Sequence, residues 1–302
     1  MDTTELAAML DSWKLAMQSA RRSPRTIEAY LRSVHLYLAW CESSGNSAGA
    51  SPLDRQTLQR WVTHQLEEGA EPASARLRQQ SVRLYATWLA EEGEIDEYPF
   101  HGLKPPKVDA KLVTRLTDDE LKLMLKACSG KDLRDRRDEA MLRLLIETGV
   151  RAGELVALNT ADVDLQRGLL VVRHGKGGKP RYVGFGAQTG AAIDRYIRQR
   201  RHHPRADSAA LWLAQTVKQG RLTYHGLRGA LRKRAALAGV ANFHPHRLRH
   251  TFASRWLAGN GSEGGLMAVA GWNSRDMIDR YARSTAAERA LAEARRLHLG
   301  DL

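Results

Sequence analysis

The chain has 302 residues, of which 43% are hydrophobic and 27% are charged, a balance typical of folded globular proteins that excludes intrinsic disorder. Its 47 lysines and arginines outnumber its 34 acidic residues, and the net charge of +13 favours a polyanionic partner, with nucleic acid first and an anionic membrane surface second. The start "MDTTELAAML" lacks the basic and apolar segments of a signal peptide, and no apolar run approaches the ~20 residues of a membrane span, so we expect a cytoplasmic protein.

The N-terminal third of the chain predicts a bundle of about four helices. In "SPRTIEAYLRSVHLYLAW", Ser23 is suited to cap a helix and Pro24 to begin it, and apolar residues follow at helical spacing. Two later stretches repeat this pattern and end at Gly69 and Gly93, and residues 4–20 supply the remaining helix. We therefore predict a helical domain over residues 1–100.

A basic linker is predicted over residues 101–115, where two adjacent prolines in "FHGLKPPKVDAKLVTR" forbid a helix. Such a linker either follows a phosphate backbone or is basic for solubility alone. Five basic side chains are candidates for DNA binding, although solvated surface positions explain the arginines equally well. They are Arg76, Arg78, Arg83, Lys104 and Lys107.

Residues 116–302 predict a second domain that is mainly α with a small antiparallel β-sheet. Thr117 and Glu120 have the spacing of a capping box ahead of an apolar helix, a later helix ends near Gly149, and another begins close to Arg151. "GLLVVRHGKGGKPRYVGFG" contains two β-like runs around a glycine-rich tip and predicts a hairpin. Helical patterns then continue to the tail "AAERALAEARRLHLG".

Several kinds of site find no support in the sequence. Cys41 and Cys128 lie in separate apolar helical patterns, which indicates reduced core residues rather than a disulfide or a zinc site. "GKGGKP" lacks the frame of an ATP-binding phosphate loop, and no clustered carboxylates suggest a magnesium site. If this domain acts on phosphodiesters, we expect a metal-free reaction that uses a side-chain nucleophile, arginines for the phosphate oxygens and a proton donor.

The stretch "HPHRLRHTF", residues 244–252, contains side chains suited to this chemistry. His246 and Arg249 lie at i and i+3, so on a helix they can converge on one phosphate, which the N–H groups of a helix start also favour. Arginine holds phosphate oxygens through two parallel hydrogen bonds, and histidine transfers protons near neutral pH. We expect His244 and Arg247 to be solvated charges of the helix start.

Four motifs make the chain resemble the tyrosine recombinase, or phage integrase, family. "ETGVRAGEL" resembles the first arginine box of that family, "HGKGGKPRYV" its lysine hairpin, "HPHRLRHTFAS" its His-x-x-Arg box and "AGWNSRDMIDRYAR" its closing tyrosine box. Stretches before residue 100 are similar to its core-binding (SAM-like) domain, so the resemblance spans nearly the whole chain. It places the catalytic residues at Arg151, Lys176, His246, Arg249, Trp272 and the nucleophile Tyr281, with Glu154 and His250 in support.

The closing box departs from the usual pattern of the family. Most members have Leu-Gly-His where this chain has "AGW", so Trp272 follows a minority branch. An indole donates one hydrogen bond but cannot shuttle a proton, which leaves proton transfer to His246 and Lys176. "DMID" replaces the paired threonines that usually precede the nucleophile, and the local geometry near Tyr281 is therefore left open.

The resemblance implies a site-specific DNA recombinase that needs no metal, ATP or other cofactor. In this family the tyrosine forms a 3′-phosphotyrosyl link with DNA, and four protomers act on two duplexes. The tail, apolar at Leu291, Ala294 and Leu297, then packs on a neighbouring protomer or back on its own domain. The absence of an arm-binding domain ahead of residue 1 favours a simple recombinase.

Other functions compatible with this fold are a DNA-binding regulator that has lost the chemistry and a type IB topoisomerase, which relaxes supercoils as a monomer. The intact set of site residues argues against the regulator, because a pure binder needs no nucleophile. A metal-dependent nuclease fits least well.

Overall fold

The computed structural model describes residues 1–43, 50–108, 114–173, 180–215, 220–272, 274, 278 and 294–295. The chain forms two compact units, Met1–Lys111 and Leu112–Leu302, and the division falls inside the stretch predicted to be the linker. Each unit has a buried apolar core of its own. Within the described ranges, no helix is long and apolar enough to cross a membrane.

The first unit is built from helices. In the described residues these are α1 (Thr3–Ala8), α2 (Leu10–Ser19), α3 (Pro24–Ser43), α4 (Arg55–Glu67) and α5 (Pro72–Glu91). The single helix expected over residues 4–20 is instead two helices that meet at Met9. A capping box between Asp2 and Glu5 fixes the beginning of α1.

Aromatic side chains fill the core of the first unit. The rings of Trp13 and Tyr85 lie 5.0 Å apart, and the hydroxyl of Tyr85 donates a hydrogen bond of 2.6 Å to the carbonyl of Leu6, which joins α1 and α2 to α5. Phe100 and Leu103 are buried in the same core. The beginning of the stretch predicted as linker therefore packs with the helices.

The second unit contains seven described helices. They are α6 (Asp118–Lys126), α7 (Leu133–Thr148), α8 (Ala152–Ala157), α9 (Ala187–Arg200), α10 (Tyr224–Leu237), α11 (Pro245–Ala258) and α12 (Glu263–Ala270). The predicted capping box is confirmed, because Thr117 and Glu120 exchange hydrogen bonds of 2.7 and 3.1 Å at the start of α6. The predicted end of α7 is also confirmed, with Gly149 in the left-handed conformation.

A three-stranded antiparallel sheet lies beside these helices. Its strands are β1 (Val163–Asp164), β2 (Leu169–Val172) and β3 (Arg181–Gly184), in that order. β2 and β3 are the predicted hairpin strands, and their register pairs Val172 with Arg181. The short strand β1 was not predicted, since two residues are too few to show an alternating pattern. The predicted class, mainly α with a small antiparallel sheet, is confirmed.

Both cysteines are buried and free, as the sequence predicted. Cys41 is 4% exposed in the first unit, and Cys128 is fully buried in the second. Burial raises the pKa of the Cys41 thiol to about 11 and that of Cys128 to about 12. Both thiols are therefore protonated at neutral pH.

Candidate active site

The turn between α7 and α8 begins the site. Gly149 has φ +58°, and a Cβ placed there would lie 2.2 Å from Cδ1 of Phe252, so only glycine fits the turn without strain. Arg151 follows two residues later, directly before α8, and its side chain is 29% exposed. The "TGVR" stretch thus turns the chain so that an arginine stands at the beginning of a helix.

A buried carboxylate joins Arg151 to a second arginine. Glu154 lies in the first turn of α8 with its side chain 5% exposed, and its Oε1 accepts from Arg151 Nη1 at 2.9 Å. Arg181 on β3 donates to both carboxylate oxygens, at 3.0 Å and 2.7 Å. Burial raises the pKa of Glu154, but the hydrogen bonds from Arg181 and Arg151 outweigh it and hold the pKa below its ordinary value of 4.5. Glu154 is therefore ionised at neutral pH and restrains both guanidinium groups.

Helix α11 carries the His-x-x-Arg box. Pro245 occupies its first turn, where a missing N–H costs no helical hydrogen bond. Arg249, one turn later, is 2% exposed and donates to the carbonyl of Gly149 at 2.7 Å and to that of Ala270 at 2.6 Å. Its guanidinium carbon lies 5.2 Å from the ring centroid of Trp272, which is a cation–π distance. Arg249 thereby links α11 to the end of α7 and to the segment after α12.

Three arginines converge on the C-terminal end of α12, where the last carbonyls of a helix lack intrahelical partners and carry partial negative charge. Three consecutive carbonyls accept from arginines of three separate elements: Val269 from Arg181 Nε at 2.8 Å, Ala270 from Arg249 Nη2 at 2.6 Å and Gly271 from Arg151 Nη2 at 3.0 Å. Trp272 follows immediately and is 5% exposed. Permanent positive charge is therefore concentrated beside Trp272, which is the electrostatic condition for holding a phosphate.

The histidines of α11 differ in exposure. His246 is exposed, whereas His250, one turn further along, is 6% exposed. Their ring centroids lie 4.7 Å apart with the planes nearly perpendicular. His246 is thus the member of the pair that solvent or a ligand can reach, while the buried ring of His250 packs edge to face against it.

The expectation that His244 and Arg247 are solvated is wrong for Arg247. His244 is exposed, but Arg247 is 7% exposed and donates to the carbonyls of Thr114 at 3.0 Å and Ala241 at 2.8 Å. A buried arginine needs acceptors, and backbone carbonyls supply them here. Arg247 therefore holds the start of the second unit against α11.

Two of the predicted catalytic residues, Lys176 and Tyr281, lie outside the described residues. So does the predicted helical tail, apart from residues 294–295. The other four predicted catalytic residues and their two supporting residues lie at the start and in the first turn of α8, on α11 and directly after α12. These are Arg151, His246, Arg249, Trp272, Glu154 and His250.

The basic side chains predicted for DNA binding divide into two groups. Arg78 and Arg83 on α5 are half-buried, and they donate to the Gln65 amide oxygen at 2.9 Å and the Tyr98 hydroxyl at 2.8 Å. These two side chains are therefore held by contacts within their own unit and are not the fully solvated side chains that the alternative for the helix arginines assumed. The exposed members of the set are Arg76, Lys104 and Lys107.

Arg181 is part of this cluster although the sequence reasoning did not single it out. Its strand pattern contained a signal, because Arg181 lies on the same face of β3 as the buried Val183. An arginine on the inward face of a strand requires a buried acceptor, which Glu154 provides. In the part of the chain that the structure describes, no group of three or more His, Cys, Asp and Glu side chains is placed to hold a metal ion.

Comparison with known proteins identifies the family. The model of the phage integrase family matches residues 114–288, and that of the phage integrase N-terminal SAM-like domain matches residues 10–93. Tyrosine recombinase XerC of Pseudomonas syringae pv. syringae (strain B728a) is 33% identical over 250 residues, which cover 82% of this chain and 82% of that protein. The chain belongs to the phage integrase family. It is a site-specific tyrosine recombinase, as the four motifs indicated.

Solved structures of phage integrase family members share the fold. XerH site-specific recombinase bound to a palindromic difH substrate, a post-cleavage complex, has a TM-score of 0.74 at 18% identity, covering 95% of this chain and 84% of that one. A lambda integrase tetramer bound to a Holliday junction has a TM-score of 0.65 at 16% identity, covering 88% of this chain and 77% of that one. At these identities the likeness establishes the architecture, not the roles of single residues.

Proposed function

We propose that this recombinase cleaves and rejoins DNA through Tyr281, whose hydroxyl attacks a scissile phosphate. The bond from phosphorus to the 5′ oxygen breaks, which leaves a 3′-phosphotyrosyl link and a 5′-hydroxyl. A 5′-hydroxyl of the partner duplex then attacks that link, re-forms a phosphodiester and releases the tyrosine. One phosphoester replaces another at each step, so neither ATP nor a metal ion is required.

The observation that carries this proposal is the meeting of Arg151 and Arg249 at consecutive carbonyls directly before Trp272. The two arginines are 98 residues apart in the chain, and the fold brings both guanidinium groups to adjacent carbonyls, where hydrogen bonds offset the cost of removing their charge from water. In the proposed reaction they hold the non-bridging oxygens and stabilise the charge that develops there, with the Trp272 indole as a further donor.

Proton transfer is assigned to His246 and Lys176. The exposed ring of His246 on α11 takes the proton from the tyrosine hydroxyl. Lys176, in the segment between β2 and β3, donates a proton to the departing 5′ oxygen. Trp272 supplies no proton transfer, because its N–H is a donor only.

Double-stranded DNA is the proposed substrate, bound as an oligomer. The net charge of +13 and the DNA complexes of XerH and lambda integrase support this assignment, and the lambda integrase tetramer supports four protomers on two duplexes. Residues 1–100 are assigned as the core-binding domain, residues 101–115 as the linker and residues 116–302 as the catalytic domain. We propose that three exposed side chains contact the phosphates of the bound duplex: Arg76, Lys104 and Lys107.

A nicked suicide duplex tests the nucleophile. Its sequence is obtained by selecting, from a randomised pool, the duplexes that the full chain binds. The wild-type chain should form a covalent adduct that survives denaturing electrophoresis, and Tyr281→Phe should form none while still binding the duplex. An adduct that persists with Tyr281→Phe would assign the nucleophile to another residue.

Arginine variants separate chemistry from anchoring. Arg151→Ala and Arg249→Ala should slow adduct formation by about 10²-fold or more while changing duplex affinity much less, because an oxyanion donor acts mainly in the transition state. Arg198→Ala is a matched control, since Arg198 forms a solvent-exposed ion pair with Asp194 on α9. Equal losses of cleavage and binding in the two site variants would mean that they only anchor DNA.

Further measurements distinguish recombination from the other functions considered above. A regulator would bind the duplex and form no adduct, whereas a topoisomerase would relax supercoils at protomer concentrations too low for assembly. Products that join two different duplexes identify recombination. Full activity in EDTA is expected, and its loss would indicate a metal-dependent reaction.

A further inference from the structure

We propose that Arg181 is a positioning residue for catalysis, which holds Arg151 in one orientation toward the phosphate through the carboxylate of Glu154 and the carbonyl of Val269. This proposal rests on the proposed function, because it assigns Arg151 to the scissile phosphate. It adds to the predicted catalytic set a residue that acts through Arg151.

The contacts of Arg181 use all three nitrogens of its guanidinium. Nη1 and Nη2 bind the two oxygens of Glu154 at 3.0 Å and 2.7 Å, and Nε binds the Val269 carbonyl at 2.8 Å. The side chain is 11% exposed, so these hydrogen bonds are largely shielded from water. A planar fork with five donors can make this set, and the single ammonium group of lysine cannot.

The same contacts form a closed ring with Arg151. Arg181 binds Glu154, Glu154 binds Arg151 and Arg151 binds the carbonyl of Gly271, two residues beyond the carbonyl that Arg181 binds. Removing Arg181 opens this ring at two places. Glu154 keeps its hydrogen bond with Arg151 but loses the bidentate contact with Arg181 that fixes the plane of the carboxylate. The carbonyl of Val269 loses the hydrogen bond from Arg181 Nε. Arg151 then gains freedom to rotate away from the orientation that the ring imposes.

The turn after α12 is shaped around this guanidinium. Gly271 has φ +63°, and a Cβ placed there would lie 3.0 Å from Nη1 and 3.1 Å from Cζ of Arg181. Glycine therefore serves both the left-handed turn and the close approach of the arginine. Trp272 is the next residue in the chain and directly follows this turn.

Arg181 also belongs to the strand that follows the predicted lysine hairpin. β3 begins at Arg181, five residues after Lys176, and pairs with β2 through Val172. The arginine thus ties the base of this hairpin to the helix that presents Arg151.

The experiment compares Arg181→Ala and Arg181→Lys with a control from the same hairpin, Arg173→Ala. Arg173 directly follows β2 and pairs with Asp162, not with Glu154, and its side chain is 57% exposed. The probe is the nicked duplex that the wild-type chain selects, and both its dissociation constant and the single-turnover rate of adduct formation are measured. Arg181→Ala should slow adduct formation by about 10- to 100-fold with little change in affinity, because loss of a supporting contact typically has this effect.

The conservative variant and the control make the result independent of folding. Arg181→Lys keeps the charge and should fold with the wild-type circular dichroism spectrum, yet its rate should remain below wild type because the bidentate contact is lost. Arg173→Ala should react at the wild-type rate. Equal rates for Arg181→Ala, Arg173→Ala and the wild type would overturn the proposal and leave the proposed function intact.

A double-mutant cycle distinguishes positioning from a merely structural role. If Arg181 acts through Arg151, its removal should have much less effect in an Arg151→Lys background, where the orientation of the guanidinium no longer matters. The same fold-loss in both backgrounds would contradict the proposal. Failure of the wild-type chain to form any adduct is a different outcome, which rejects the proposed function together with this inference.

Discussion

Replacing Gly149 by alanine tests how the first arginine box is built. The left-handed conformation costs a residue with a Cβ about 1–2 kcal/mol, and here the new atom would also lie within 2.9 Å of three ring carbons of Phe252. Phe252 is 6% exposed, so its ring can move only by displacing packed neighbours, which adds about 1–3 kcal/mol. We expect the free energy of unfolding to fall by about 2–5 kcal/mol.

A second glycine of the same unit isolates the contact with the ring. Gly239, which follows α10, has φ +72°, and a Cβ there would meet nothing within 4 Å. Gly239→Ala therefore carries the backbone cost alone, and the difference between the two variants should be about 1–3 kcal/mol. Urea unfolding followed by circular dichroism at 222 nm measures both variants in one background.

Replacing the Phe252 ring with a smaller side chain should recover part of the stability that Gly149→Ala removes. Combining Gly149→Ala with Phe252→Leu should cost less than the sum of the single changes, because the leucine no longer occupies the space that the new methyl group requires. Unfolding midpoints that are equal for Gly149→Ala and Gly239→Ala would refute the packing argument. Strict additivity of Gly149→Ala and Phe252→Leu would refute it as well.

Three further predictions concern stability and reactivity. Thr117→Ala should lower the free energy of unfolding by about 1 kcal/mol and Thr117→Ser by much less, measured by urea unfolding, because only the alanine variant loses the cap of α6. Folding lowers the pKa of Glu154, so its contribution to the free energy of unfolding is complete above pH 4.5 and is lost as the pH falls through the folded-state pKa. Below pH 4.5 the free energy of unfolding, measured in urea, should therefore fall more steeply for the wild type than for Glu154→Gln. With thiol pKa values of about 11 and 12, Cys41 and Cys128 should react with a disulfide reagent at pH 8 only slowly in the native protein and rapidly in urea, and fast native labelling would contradict their burial.

Local sequence patterns correctly predicted the helices and strands whose ends are fixed by residues close to them along the chain. The capping box at Thr117, the end of α7 at Gly149 and the hairpin strands each rest on contacts within a few residues along the chain, and the structure confirms all three. The break at Met9 was missed because apolar residues continue across it, so helical periodicity alone does not reveal it.

The interior of the candidate site was less accessible to sequence reasoning. Motif resemblance indicated Arg151, Arg249 and the supporting Glu154, but the backbone carbonyls that also accept from the two arginines leave no mark in the sequence. The burial of Arg247 was missed for the same reason, because its acceptors are carbonyls that the fold brings to it. Tertiary contacts to main-chain atoms explain what single-sequence patterns could not show.

The three carbonyls at the end of α12 have a consequence for sequence variation. The hydrogen bonds there are made by Arg181, Arg249 and Arg151 to main-chain oxygens only. A main-chain oxygen is present whichever side chain the residue carries. The side chain at position 270 can change without loss of this hydrogen bond as long as the helix and the glycine turn persist. The alanine of "AGW" therefore leaves the contacts of the three arginines intact. We therefore expect substitution to be tolerated at 269 and 270 wherever the new side chain can be packed, whereas the left-handed turn and the approach of Arg181 constrain Gly271.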